Sequence, residues 1–397
     1  MPKRVSFLFG SGISIPAGMP SVTDITERVL SGKNVQHGTD GRFRLVATQP
    51  QLPWPGVPDE YVPRVKAFIE RLYVETKKYY YSRPYYSSPP RRAVNYEDLY
   101  YVASQIYDGE TGEYDNPIVQ GFVDQILPDV EPFFARKERL LEIARDATYY
   151  IFDIVWDSLK STKTINYLNC IEDACRDKEI SPVDLFTLNH DTLLEQYLES
   201  QNIKFTAGFE ARLNGYRYWS PQVFRDPSDR IRLFKLHGSV NWFRYEPNVA
   251  TGSNDPVGIA DDGKYWQEKD PNGRLQFRDH DRPVLLVGTF NKIFEYTSRI
   301  FADLFYEFRH SLQETDLLIV SGYGFGDQGI NMQVAEWADS SDKAKMIVID
   351  PGDPRMGARG NIRLRWDGWL ANKKLVVIPK WIEHTSWKDI QSAIQRV

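Results

Sequence analysis

The segment VSFLFGSGIS, which runs from Val5 to Ser14, joins a short apolar run to a glycine-rich turn. The run is largely continuous in its apolar character and does not alternate between apolar and polar residues. Such a run is typical of a strand that is buried on both faces, as in a parallel sheet. We therefore predict a buried parallel strand that ends where the glycines begin.

Six further apolar runs, rich in β-branched and aromatic residues, have the same character. They lie at Val183–Leu188, Leu233–Leu236, Val284–Val287, Leu317–Val320, Met346–Ile349 and Leu375–Ile378. Helical periodicity lies between them, most clearly where one face carries Ile300, Phe301, Leu304, Phe305, Phe308 and Leu312. This alternation predicts an α/β fold, with a Rossmann-like open parallel sheet and helices on both of its faces.

The stretch 31–165 has a different pattern, which predicts a mainly helical insertion. One helical stripe is formed by Val65, Phe68, Ile69, Leu72 and Tyr73, and a longer apolar stripe spans Leu140–Trp156. Between them, Lys77–Arg92 holds five tyrosines and five basic residues, and its prolines predict an irregular loop.

The sheet should therefore be built from three parts of the chain. We predict core segments at 1–30, 166–245 and 282–397, the helical insertion at 31–165, and a polar surface excursion at 246–281.

Composition excludes several classes of protein. The 397 residues include 49 Lys+Arg and 54 Asp+Glu, a net charge of -5, so no global basic field attracts nucleic acid or an anionic membrane. No apolar run approaches the ~20 residues of a membrane span, and the opening MPKRVSFLFGSG is typical of neither a signal peptide nor an anchor. The two cysteines, Cys170 and Cys175, fit neither a disulfide framework nor a structural zinc site, so we expect a reducing cytoplasm and no metal.

The glycine turn after the first strand is a candidate phosphate site. Gly10, Ser11 and Gly12 would let backbone amides approach a pyrophosphate at the N-terminus of the following helix. The full G-x-G-x-x-G spacing is absent, and a G-S-G stretch alone is more often a tight turn.

Polar residues also follow two other predicted strands. Asn189, His190 and Asp191 come after one, and His237 comes after the next. Ligands of open α/β sheets bind at this edge, and an imidazole there can accept a proton from a ribose hydroxyl or a water. His190 is the rival for that role, and the alternative for Asp191 is a helix cap.

The last strands end in a similar way. Ser321, Gly322, Tyr323, Gly324 and Asp327 follow one of them, and Asp350 follows the next. A carboxylate at a strand end can bind a ribose diol, although Gly and Asp are also common in turns for local reasons.

Together, the ordered motifs GSGIS, TLNHD, KLHG, SGYGFGD and VIDPG resemble those of the sirtuin-like (Sir2-type) NAD-consuming superfamily. The resemblance implies that Asn189 and His237 are catalytic. It further implies an NAD+ site that comprises Gly10, Ser11, Gly12, Ser14, Pro20, Asp24, Asp191, Gly322, Tyr323, Gly324 and Asp350.

Two departures from the deacylases of that superfamily matter. The four zinc-binding cysteines are absent, and the stretch AGMPSVTDIT lacks the Phe-Arg of their G-I-P-D-F-R loop. The pattern is closer to bacterial sirtuin-like NADases of antiphage defence, and Asn95–Leu99 (NYEDL) resembles a segment that recurs in them. This resemblance implies NAD+ as substrate, water as acceptor, and control through a homo-oligomer or a HerA-type ATPase partner.

Three alternatives remain open at this point. The chain could be a non-catalytic NAD or ADP-ribose sensor, or an NAD-dependent protein deacylase. It could also bind nucleic acid through Lys77–Arg92, since interleaved aromatic and basic residues stack on bases and neutralise phosphates. We do not expect direct nucleic-acid binding, because tyrosine-rich loops also pack at protein interfaces.

Overall fold

The computed structural model describes most of the 397 residues. The described ranges are 4–46, 61–81, 93–112, 120–125, 139–211, 216–245, 257–260, 268–269, 275–276, 278, 281–288, 292–297 and 299–396. The chain divides into two compact units. The first comprises Met1–Met19, Ser161–Leu286 and Ile293–Val397, and the second comprises Pro20–Lys160 and Val287–Lys292.

Strands and helices are numbered in chain order. The strands are β1 (Val5–Phe9), β2 (Val35–His37), β3 (Phe43–Leu45), β4 (Val183–Thr187), β5 (Tyr216–Tyr218), β6 (Ile231–Lys235), β7 (Phe243–Arg244), β8 (Val257–Ala260), β9 (Glu268–Lys269), β10 (Leu275–Gln276), β11 (Leu317–Ser321), β12 (Lys345–Ile349) and β13 (Leu375–Ile378). The helices are α1 (Val22–Ser31), α2 (Tyr61–Tyr81), α3 (Tyr96–Thr111), α4 (Leu140–Leu159), α5 (Asn169–Arg176), α6 (Leu193–Ser200), α7 (Lys292–Glu295), α8 (Arg299–Gln313), α9 (Gln328–Ser340), α10 (Gly360–Ala371) and α11 (Trp387–Ile394).

The first unit is built on a six-stranded parallel sheet. Its strand order is β13-β12-β11-β1-β4-β6, and every neighbouring pair is parallel. Numbered by their own succession along the chain, these strands have the order 3-2-1-4-5-6 of a doubly wound Rossmann-type sheet. The predicted α/β class is confirmed. The order reverses between β1 and β11, and this is where such sheets bind ligands.

Burial explains why these segments are strands. Each residue of β1, β4 and β11 is buried, so both faces of the central sheet are covered. On one face, Leu8 and Phe186 pack in a cluster with Phe308 of α8. On the other, Phe7 packs in a cluster with Leu194 of α6. The helical face predicted from Ile300 to Leu312 is the buried face of α8.

One predicted strand is wrong. Val284–Val287 is buried but does not join the main sheet. It instead makes an isolated antiparallel bridge between Leu285 and Gly238, and Leu286 N–H donates to the carbonyl of His237. Its continuous apolar character reflects packing against the segment that follows β6, and burial alone does not distinguish that position from a sheet position.

The second unit contains α1 to α4, α7's first residue Lys292 and the β2–β3 hairpin. The predicted helical stripes are confirmed as α2 and α4. Two carboxylates of α4 support the hairpin, because Asp153 accepts the N–H of Phe43 and Asp157 accepts the N–H of Leu45.

The predicted loop at Lys77–Arg92 begins later than expected. Helix α2 continues to Tyr81, which is possible because the first proline of the segment is Pro84. Residues 82–92 lie outside the described residues, as does most of the predicted excursion at 246–281. Within that excursion, β8 pairs antiparallel with β5 and β7. In the described ranges, no helix is long and apolar enough to cross a membrane.

Three glycines bring the chain after β1 against the chain after β11. Gly10 N–H donates to the carbonyl of Ser321 (3.1 Å), and Gly12 N–H donates to the carbonyl of Gly322 (2.9 Å). A Cβ on Gly10 would lie 2.5 Å from the Gly322 carbonyl oxygen, and one on Gly12 would lie 2.6 Å from the Gly322 Cα. Gly322 itself has φ +63°. These glycines are therefore required by backbone-to-backbone packing at the point where the strand order reverses.

Replacing Gly322 by Ala should destabilise the first unit by more than about 2 kcal/mol, because the left-handed backbone adds to a clash. The new Cβ would lie 2.5 Å from the backbone nitrogen of Ile13. Urea unfolding of the G322A variant measures this effect. The matched control is Gly326→Ala, whose Cβ would meet nothing within 4 Å. Equal unfolding midpoints for the two variants would contradict the packing role of Gly322.

Candidate active site

Asn189 connects the end of β4 to the glycine turn after β1. Its Nδ2 donates to the carbonyl of Gly10 (3.0 Å) and to Oγ of Ser14 (2.9 Å), and the side chain is buried. The amide orientation is fixed by chemistry, because only the NH2 group can donate to a carbonyl oxygen. Both amide protons are thus used to hold the turn. The Oδ1 atom is the part of Asn189 that can accept a proton from a hydroxyl or a water.

The turn itself differs from the expected phosphate loop. Ser11–Ser14 forms a short 3-10 helix, and the first long helix, α1, begins only at Val22. The amides of Gly10 and Gly12 are bonded to β11 and its extension, as described above. Ser11 is exposed, whereas Ser14 is buried against Asn189. A role for this turn in diphosphate binding stays a prediction.

Tyr167 also supports the turn, although no motif in the sequence pointed to it. Its hydroxyl donates to the carbonyl of Ile13 (2.5 Å). Burial, followed by the charge of Asp191, raises the pKa of this phenol well above its ordinary value. Tyr167 therefore stays a neutral donor that helps to hold the turn.

His237 lies at the matching position of the neighbouring strand. Thr187 and Lys235 are paired in register at the ends of β4 and β6, and Asn189 and His237 each follow two residues later. The Nε2 atom of His237 lies 2.6 Å from the hydroxyl of Tyr296 and 3.1 Å from Oδ2 of Asp327. The same hydroxyl donates to the same Oδ2 atom at 3.0 Å. All three groups are buried or nearly so, and we call them the His237 cluster.

The sequence did not predict Tyr296 as a member of the His237 cluster, and it placed Asp327 in the motif SGYGFGD without predicting its contact with His237. Asp327 stands before a helix start, where an aspartate commonly serves as a cap, and it does accept the N–H of Ile330 at the start of α9. Tyr296 is one of 23 tyrosines and stands in no motif. The fold brings Tyr296 and Asp327, which are 59 and 90 positions away in the chain, into contact with the His237 ring.

His190 and Asp191 have different surroundings. The rings of His190 and His237 have centroids 6.1 Å apart, and the His190 carbonyl accepts the N–H of Val240. Asp191 is buried, and its Oδ1 accepts the N–H of Leu193 in the first turn of α6. The N-cap position itself is held by Thr192, so the alternative that made Asp191 the N-cap is wrong by one residue, although Asp191 does bind the first N–H of α6.

Lys235 places a buried cation in contact with the Asn189–Asp191 segment. Its ammonium group donates to the carbonyl of Asp191 and forms an ion pair with Oε1 of Glu195 (2.9 Å). The lysine side chain is 1% exposed, so its charge must be matched inside the protein. The sequence did not single out this residue. Lys235 and Glu195 fix the backbone that carries Asn189.

On the other side of β1, the predicted residues mainly stabilise turns. Tyr323 is buried, and its hydroxyl accepts the N–H of Asp327 (3.2 Å) and donates to Asn331 (2.9 Å). Asp350 accepts the N–H of Gly352 (2.7 Å). Gly324 is exposed. Binding of NAD+ by these residues stays a prediction.

Pro20 and Asp24 belong to the second unit. Asp24 forms a capping box with Ser21 at the start of α1, and the Ser21 backbone N–H lowers the pKa of its carboxyl group. A local role therefore explains Asp24, and a ligand contact for either residue stays a prediction. In the segment NYEDL, Asn95 and Asp98 likewise form the capping box of α3, and Glu97 pairs with Lys292 (2.8 Å).

Neither cysteine belongs to a site. Cys170 and Cys175 are both buried on α5, and burial raises the pKa of each thiol to about 12. Within the described part of the chain, no group of three or more His, Cys, Asp or Glu residues could hold a metal ion.

One family model matches the part of the chain that contains most of these residues. Residues 183–378 match the family model described as SIR2-like domain. The matched segment includes Asn189, Asp191, His237 and Asp350, whereas the Gly10–Ser14 turn precedes it.

Solved structures similar to the chain include Sir2 proteins. A SIR2 homologue in complex with NAD shares 12% identity, covers 100% of this chain and 91% of its own, and has a TM-score of 0.39. A mutant Sir2 homologue in complex with ADP-ribose shares 12% identity, covers 100% of this chain and 93% of its own, and has a TM-score of 0.37. No curated protein matches the chain by sequence.

Replacing Lys235 by Met should lower the free energy of unfolding by roughly 3 kcal/mol, because it leaves the Glu195 carboxylate without its buried partner. Urea unfolding measures the loss. The double variant Lys235→Met with Glu195→Gln should recover part of it, since no uncompensated charge remains. Lys204→Met is the matched control, because Lys204 pairs with Asp229 but is 81% exposed, and it should change stability little. A K235M protein as stable as this control would contradict the role assigned to Lys235.

Proposed function

We propose that the protein is a sirtuin-like NAD+ hydrolase that releases nicotinamide and ADP-ribose. The observation that carries the proposal is the paired position of Asn189 and His237 at the ends of two neighbouring parallel strands. Both residues lie in the segment 183–378, which matches the SIR2-like domain model. They lie at the sheet edge where doubly wound folds bind dinucleotides.

The chemistry requires few protein groups. The bond between C1′ of the ribose and the pyridinium nitrogen breaks, and its electron pair goes to that nitrogen, which becomes neutral. Nicotinamide is therefore a good leaving group without a general acid. A water oxygen then bonds to C1′ and loses a proton. The protein has to hold the ribose and position that water.

Asn189 and His237 suit these two tasks. The Asn189 amide protons are held by Gly10 and Ser14, which directs Oδ1 as a fixed acceptor for a water or a ribose hydroxyl. His237 supplies an imidazole, which can accept a proton near neutral pH. The water acceptor is part of the proposal, because the chain lacks the four-cysteine zinc site of the deacylases.

Control of the activity is also part of the proposal. Unregulated NAD+ hydrolysis would harm the cell that makes the enzyme, so the activity needs a gate. We propose a role in antiphage defence, with a homo-oligomer or a HerA-type ATPase partner as that gate. The support for both is the sequence resemblance given above.

The test is nicotinamide release from NAD+ by the wild type and by variants of the two residues. Asn189→Ala and His237→Ala should each reduce turnover at least ~100-fold, the lower end of what a positioned acid–base group contributes. The controls are Asn372→Ala and His310→Ala, which change exposed residues of the same types. They should keep wild-type turnover.

The alternatives give different results in the same assay. A sensor would bind NAD+ or ADP-ribose in calorimetry and release no nicotinamide, with or without candidate partner proteins. A deacylase would release nicotinamide only when an acylated lysine peptide is added. Wild-type turnover in both the N189A and H237A variants would refute the assignment of the site.

A further inference from the structure

We infer that Asp327 and Tyr296 are positioning residues that place the ring proton of His237 on Nε2, so that Nδ1 is the atom that serves as base. This inference rests on the proposed function for the role of His237, but the proton position is a property of the protein alone. It follows from the geometry of the His237 cluster.

A count of protons decides the tautomer. Within the cluster, Nε2, the Tyr296 hydroxyl and Asp327 Oδ2 are mutually within 2.6 to 3.1 Å. An ionised carboxylate can only accept, and the phenol has one proton to donate. With that proton directed to Asp327, the hydroxyl oxygen and the carboxylate both face Nε2 as acceptors. If Nε2 carried no proton, the lone pairs of Nε2, the Tyr296 oxygen and Asp327 Oδ2 would face one another with only the phenol proton among them. A proton on Nε2 removes this repulsion.

The position of Asp327 favours its ionised form. Its Oδ1 accepts the N–H of Ile330 at the N-terminus of α9, a helix of 13 residues, where the helix dipole stabilises an anion. The Tyr323 hydroxyl accepts the backbone N–H of Asp327 and fixes the same turn. The carboxylate is therefore held as an anion, in one orientation, against the histidine.

This arrangement prepares the ring for proton transfer. A neutral imidazole with its proton on Nε2 has its lone pair on Nδ1, and the carboxylate stabilises the imidazolium ion that forms when Nδ1 takes a proton. Within the described residues, the titratable groups seen to face His237 include Asp327, Tyr296 and the ring of His190, and Tyr323 contacts Asp327. A nearby anion raises the pKa of an imidazole, so turnover should fall on the acid side as His237 becomes protonated.

Kinetics of Asp327→Asn tests the inference. Asparagine caps helices as well as aspartate does, so the variant should keep the start of α9. Its amide would face Nε2 as a donor and favour the opposite tautomer. We expect kcat to fall roughly 100-fold or more with KM little changed, as for a group that acts on the catalytic step. The acid limb of the kcat profile should move to lower pH, because the anion is lost.

Two further variants make the result specific. Tyr296→Phe removes the proton donated to Asp327, which leaves the carboxylate a stronger partner for His237, so the acid limb should move to higher pH. Asp389→Asn changes a capping aspartate of α11 and should alter neither kcat nor the pH profile. Identical pH profiles for the wild type, D327N and Y296F would overturn the inference.

Nitrogen-15 NMR of histidine-labelled protein tests the proton position without any activity. The sequence contains 6 histidines, so the His237 signal can be assigned by its loss in the H237N variant. A neutral ring with its proton on Nε2 in the wild type, and on Nδ1 in D327N, supports the inference. A wild-type ring with its proton on Nδ1 overturns it. If the wild type releases no nicotinamide but shows the Nε2 proton, the proposed function fails while the positioning of His237 stands.

Discussion

The close approach of three glycines at the centre of the sheet is the constraint on which the rest of the site depends. Gly10 and Gly12 meet Gly322 through backbone atoms alone, and their amides donate to the carbonyls that end and follow β11. This contact fixes the position of the turn after β1 relative to the end of β11. Asn189 can then reach the Gly10 carbonyl and the Ser14 hydroxyl at ordinary hydrogen-bond distances. A larger residue at any of these glycines would displace the turn from Asn189.

The strands of the fold could be predicted from the sequence more reliably than the contacts that individual residues make. Buried parallel strands have a continuous apolar signature, and six of the seven predicted segments are strands of the sheet. Val284–Val287 has the same signature but packs on the segment after β6, because burial and strand pairing are separate properties. The glycines show the same ambiguity. A glycine that lets a phosphate approach and one that lets a backbone approach are identical in sequence.

The contacts that support the catalytic candidates could not be found from motifs, although Asp327 and Lys235 lie within the motifs SGYGFGD and KLHG. Asn189 and His237 follow strands directly, and strand ends can be recognised in a sequence. Tyr296, Asp327, Lys235 and Tyr167 act through contacts with residues that are distant in the chain or through burial. A buried lysine such as Lys235 even opposes the usual distribution of charge. Its cost is offset by Glu195 and the Asp191 carbonyl, which make the polar segment rigid.

The junction of the second unit has a consequence for how such proteins diversify. The chain leaves the first unit after Met19 and returns at Ser161, and near that point the N–H of Lys163 donates to the carbonyl of Ala17 (2.8 Å). The two ends are thus tied together inside the first unit. The entropic cost of bringing the two ends together grows only slowly with the length of the chain between them. The segment of 141 residues between Met19 and Ser161 can therefore become longer or shorter, or be exchanged, with little strain at this junction. The Rossmann-type sheet can in this way keep the edge that carries Asn189 and His237 while the inserted unit changes in length or structure.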